Sequence, residues 1–103
     1  MRRGTTPYLS FSTEFLASEV NSGYISFRQN GIDILDKEIP SERVSVSDYE
    51  IDLELTQDET LLFSSRSNER AEVQIRLIIN GNTAVASNII SFNVGGVIKE
   101  GVI

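Results

Sequence analysis

The stretch from Ala71 to Val94 constrains the fold more than any other part of the chain. Val73, Ile75, Leu77 and Ile79 alternate with Glu72, Gln74 and Arg76, the period-two pattern of a strand with one face in a core and the other in water. Asn80-Gly81-Asn82 follows at once. Asn and Gly tolerate the positive φ of a tight hairpin, so the chain is expected to reverse there and return through Thr83 to Val94. A loop of two or four residues would put Ala84, Ala86, Ile90, Phe92 and Val94 on the face of Ile75 and Leu77, with Asn88 pointing inward among them. A bulge near Ser87 and Asn88 would relieve that conflict by turning the phase of the strand.

The same alternation recurs along the chain. Tyr8 to Thr13 sets Leu9 and Phe11 against Ser10 and Ser12, and Tyr24 to Gln29 sets Ile25 and Phe27 against Ser26 and Arg28. Asn30-Gly31 is a strong hairpin signal, and the return strand runs from Ile32 to about Ile39, with Asp33, Asp36, Lys37 and Glu38 keeping it wet. Pro40-Ser41-Glu42 breaks the run. Val44 and Val46 then precede Ile51, Leu53 and Leu55, which alternate with Glu50, Asp52 and Glu54. Glu14 to Val20 fits either one helical turn or a continued strand, and Ser64 to Arg70 reads as a polar loop.

Thr56-Gln57-Asp58-Glu59 has capping-box spacing, which predicts a short helical turn over 57–63. The expected fold is all-β: an antiparallel, immunoglobulin-like sandwich of six or seven strands over residues 8–94, with short arms at 1–7 and 95–103. At 103 residues there is room for one core.

Composition narrows the chemistry. The chain has no cysteine and no histidine, so no disulfide, thiolate nucleophile, Ser/His dyad or ordinary zinc site is available. The net charge of −6 argues against a phosphate-binding or membrane-surface role. No apolar run is long enough to span a bilayer, and no secretory signal follows Arg2 and Arg3. Glu50, Asp52 and Glu54 share a strand face about 7 Å apart and read as a solvated face rather than a calcium or acid-base site. Ser64-Ser65-Arg66-Ser67-Asn68 lacks the glycine-rich turn of a phosphate cradle. Tyr8, Tyr24 and Tyr49 would serve a carbohydrate-binding surface only if grouped. No catalytic, cofactor or metal site is expected.

The ends carry the better signal. Val97, Ile98, Val102 and Ile103 lie beyond the last core strand, and such an arm commonly gains its burial from a neighbouring chain. With Arg2 and Arg3 facing acidic partner surfaces, these are the candidate partner-binding residues.

Met1-Arg2-Arg3-Gly4-Thr5-Thr6-Pro7, Gln29-Asn30-Gly31, Leu55 to Leu61, Val73 to Leu77 and Ala84 to Asn88 together resemble small proteins of tailed phages and prophages of Gram-positive bacteria. The start Arg3-Gly4-Thr5-Thr6 also resembles, more loosely, the N-terminal domain of phage baseplate upper proteins. The resemblance implies a non-enzymatic virion subunit of tail, baseplate or capsid, made in the host cytoplasm and bound to copies of itself or other virion proteins. A host-surface or carbohydrate-binding module, and a small acidic inhibitor mimicking nucleic acid, are the alternatives.

Overall fold

The structure, a computed structural model, describes residues 1–64 and 70–95. Eight strands are present among them: β1 (Tyr8–Ser12), β2 (Val20–Gln29), β3 (Ile32–Ile39), β4 (Val44–Ser47), β5 (Glu50–Glu54), β6 (Arg70–Ile79), β7 (Thr83–Ala86) and β8 (Ile90–Asn93). One sheet has the order β1-β5-β4; the other runs β3-β2-β6-β7, with β8 also on β6. All strand pairs are antiparallel. In immunoglobulin lettering these are B-E-D and C′-C-F-G, with β7 and β8 sharing the place of G. The first strand of that fold, A, has no counterpart among the described residues.

The core follows from the alternation. Ile25, Phe27, Val73, Ile75 and Leu77 of one sheet face Val44, Ile51 and Leu53 of the other, all of them buried. Each such side chain contributes about 1.5–3 kcal/mol on burial. Phe27, Phe63 and Phe92 meet edge to face, with ring centroids 5.7 and 6.1 Å from Phe27, a favoured aromatic geometry. The second layer is therefore sealed at one end by Phe63, from the segment after the helix.

Both turn signals act as expected, with Asn30, Gly31, Asn80 and Gly81 all at positive φ. The second hairpin differs in length. Ile79 pairs with Thr83 and Leu77 with Val85, so the loop has three residues, Val85 turns inward, and Ala84 and Ala86 face out. The bulge falls where the conflict placed it. Arg76 pairs with Ala86, but Val73 pairs with Ile90, so one extra residue separates β7 from β8 and returns Ile90 and Phe92 to the inner face. Ser87 spans the gap: its amide donates to the Ile75 carbonyl at 2.8 Å and its Oγ accepts from the Ile75 amide at 2.9 Å.

Lys37 departs from the expected wet strand. In register it sits opposite Ile25, between Leu35 opposite Phe27 and Ile39 opposite Gly23, which is the inward phase of β3. Asp33, Asp36 and Glu38 do stay exposed. The ambiguous Glu14–Val20 segment contains a 3-10 turn at Ala17–Glu19 before β2 begins. The predicted helical turn is α1 (Gln57–Thr60), shorter than 57–63.

Candidate functional site

The two ends of the described chain meet at one pole of the sandwich. Arg2 forms a parallel bridge with Gly95: the Arg3 amide donates to the Gly95 carbonyl at 2.9 Å, and the Gly95 amide donates to the Met1 carbonyl at 2.7 Å. Gly4, at φ 76°, turns the arm, a conformation open to glycine at little cost. Its amide donates to Thr60 Oγ1 at 2.8 Å, and Arg3 Nη2 donates to the Leu61 carbonyl at 3.1 Å. The N-terminal arm thus lies on its own domain, across the end of α1.

That arrangement separates the two cations expected to act together. Arg2 stays exposed beside Gly95, whereas Arg3 is partly buried and directed at Leu61. Val97, Ile98, Val102 and Ile103 lie outside the described residues, as do 65–68 of the serine-rich loop.

The polar network behind the pole is continuous. Thr56 Oγ1 accepts from the Glu59 amide at 3.1 Å and Glu59 Oε1 accepts from the Thr56 amide at 2.9 Å, a complete capping box. The other Glu59 oxygen accepts from Lys37 Nζ at 2.7 Å. Partial burial pushes the Glu59 carboxyl up, but the hydrogen bonds from Lys37 and Thr56 and the Lys37 charge outweigh it and hold the group below its ordinary value. Thr60, with no exposed surface, links α1 to the arm. Nothing in the sequence marked Thr60 as an anchor, because its partner Gly4 is 56 positions away.

The three tyrosines are all exposed, but they do not group. Tyr8 lies on the outer face of the three-stranded sheet beside Glu54, Tyr24 on the opposite sheet beside Arg76, and Tyr49 in the β4–β5 turn at φ 66°. Glu50, Asp52 and Glu54 do form a row, one strand wide. Its flanks are Ser12, Ser10 and Tyr8 on β1 and Ser47 and Ser45 on β4, with Arg43 paired to Glu54. Ser10 Oγ donates to Asp52 at 2.7 Å. Loss of water at the sheet surface, then the Asp52 and Glu50 charges, raise the Tyr8 hydroxyl above its ordinary value.

Among the described residues no group of three or more Asp or Glu is placed to hold a metal ion, and no helix is long and apolar enough to cross a membrane. A shallow polar cleft on the outer face of the larger sheet gathers Arg28, Asp33, Asp36, Glu72 and Arg76, but Arg28 is paired with Glu72 at 3.2 Å. Comparison with family models, with curated proteins and with solved structures returns no match.

Proposed function

We propose that this chain is a non-enzymatic structural subunit of a tailed-phage particle, held in a tail, baseplate or capsid assembly by protein contacts made at its ends. The observation that supports this most is the meeting of the arm and Gly95 at one pole. Residues 96–103, which follow Gly95 in the chain, include the apolar Val97, Ile98, Val102 and Ile103, and in this reading a neighbour covers them at the pole that also carries the exposed Arg2. The resemblance to small phage proteins adds the setting: a virion, after synthesis in the host cytoplasm. The partners are then copies of the chain or other virion proteins, and no cofactor enters.

The rival readings draw less support. A carbohydrate platform needs neighbouring aromatic rings, and Tyr8 and Tyr24 are on opposite sheets. A mimic of nucleic acid needs a broad negative surface, whereas the acidic row is hemmed by serines and capped by Arg43.

The test is to purify particles from a host carrying the gene and quantify the protein in them by mass spectrometry. The expected result is a fixed copy number per particle, lost on deletion of residues 96–103. Particles free of the protein would refute the reading.

A further inference from the structure

Among the described residues no strand pairs with the outer edge of β1, which leaves one edge of the smaller sheet open there. Leu55 N–H donates to the Pro7 carbonyl and Thr13 N–H to the Tyr49 carbonyl, which fixes the phase of the β1–β5 ladder. Leu9 and Phe11 therefore bond toward β5, and the N–H and C=O groups of Tyr8, Ser10 and Ser12 point the other way. Among the described residues no backbone group meets them.

The other edges are less open: β7 and β8, uncharged like β1, are split by the extra residue between them, which breaks that edge into two short pieces. On β4 the corresponding groups of Val44 are both taken by Ser41, at 3.1 and 3.2 Å. β3 carries Asp33, Asp36, Lys37 and Glu38, charges of the kind that discourage strand pairing. β1, Tyr-Leu-Ser-Phe-Ser, has no charge and no bulge. Beside its far end the two sheets part into a groove of about 330 Å³, lined mainly by apolar surface from Phe15, Ile75, Leu77 and Val85 together with the polar Ser12 and Glu14. An open ladder next to an apolar trough is what strand addition uses: main-chain bonds hold the guest and alternate side chains fill the trough.

We propose that this seam receives residues 96–103 of a second copy of the chain, added as a β-strand along Tyr8–Ser12. This rests on the reading of the protein as an assembling subunit and says where one subunit grips the next. Eight residues reach roughly 26 Å when extended, and the five of β1 need about 17 Å. Strand alternation sends either Val97 and Ile103 or Ile98 and Val102 into the trough, so either phase of the guest offers it two apolar side chains. The chain's own tail is the poorer guest. Gly95 sits at the Pro7 end of β1, beside Arg2, while the groove lies at the Phe15 end, so an intramolecular route requires immediate reversal past the arm. A neighbour's tail needs none. Because donor and acceptor surfaces differ, the contact closes as a dimer where two copies exchange tails and otherwise builds a ring or a filament.

The test uses the full chain and two variants. Ser10→Pro removes an N–H that faces the open edge and takes no part in the β1–β5 ladder, and proline is tolerated at such a position. Val97→Lys/Ile98→Lys alters the guest on both of its faces and leaves the seam untouched, so it serves if Ser10→Pro fails to fold. Sedimentation measures mass against concentration, and hydrogen exchange follows the amides of Tyr8, Ser10 and Ser12. The expected result is self-association with protection of those amides, weakened at least about tenfold by either variant, as loss of main-chain pairing implies. A mass that stays monomeric with the amides unprotected overturns the proposal, and so does a monomer with the amides protected, which would put the chain's own tail in the seam. Association that survives both variants overturns it as well. In each case the presence of the protein in purified particles decides the broader reading separately.

Discussion

Thr60 holds more of the candidate site together than any charged residue. Its hydroxyl accepts from Gly4 and has the Gln57 carbonyl at 2.9 Å as an acceptor for its own proton. Thr60→Val keeps the shape and removes both bonds, so urea unfolding should show a loss of about 1–3 kcal/mol, mainly the cost of leaving the partly buried Gly4 amide without an acceptor, since the Gln57 carbonyl keeps the Leu61 amide. Thr60→Ser should recover most of it. Glu59 provides a second prediction, in pH. Its folded pKa is depressed, so its contribution is present above the unfolded carboxylate range and disappears as pH falls through the folded value. Stability should therefore drop below about pH 4.3, and Glu59→Gln should flatten that slope in thermal melts taken across the acid range. The capping box was readable because Thr56 and Glu59 are three residues apart. Thr60 and Lys37 were not, since each acts on a residue that only the folded chain brings near.

Strands were legible where the alternation was uninterrupted, and their faces were not wherever one residue decided the phase. The three-residue loop at Asn80-Gly81-Asn82 shows why: a change of one residue exchanges inner and outer faces along the whole return strand, so Val85 is inward instead of Ala84 and Ala86. The bulge then restores Ile90 and Phe92. Ser87 stabilises this break by replacing a ladder carbonyl with its hydroxyl. Ser87→Ala should cost about 1–2 kcal/mol, because the Ile75 amide loses its acceptor, and exchange of that one amide should rise before global unfolding. Gly23 is the stricter element-level requirement. It lies opposite Leu77 in the β2–β6 register, and a Cβ there would run into the Arg76 carbonyl and Leu77 Cδ2. Forcing two central strands apart places Gly23→Ala at or above the usual 1–3 kcal/mol of an overpacked core, read as a fall in the urea midpoint at unchanged slope.

At the scale of the whole molecule, the sequence marked Arg2 and Arg3 as a cationic pair for a partner, and the fold divides them because the arm has work to do on its own domain. The pole it covers sits between α1 and the end of the larger sheet, where Val94 has no exposed surface. Replacing residues 1–4 by a single methionine removes the Arg3–Gly95, Gly95–Met1, Met1–Asn93, Gly4–Thr60 and Arg3–Leu61 bonds. Each is worth about 0.5–1.5 kcal/mol net, yet ordering the arm costs about 1–2 kcal/mol per residue. The two terms nearly cancel, so global stability should change by no more than about 1 kcal/mol, less than for Thr60→Val in the intact chain at the upper end of its range. The local consequence is much larger. Gly95 loses both its bridge partners, and its amide should exchange orders of magnitude faster while those of Ile75 and Ile51 stay protected. If the arm instead held the sandwich closed, the core amides would lose protection together with Gly95. Hydrogen exchange on the shortened chain distinguishes these outcomes, and equal loss at Gly95 and Ile51 would show the arm to be part of the core rather than a strap laid over a body already complete.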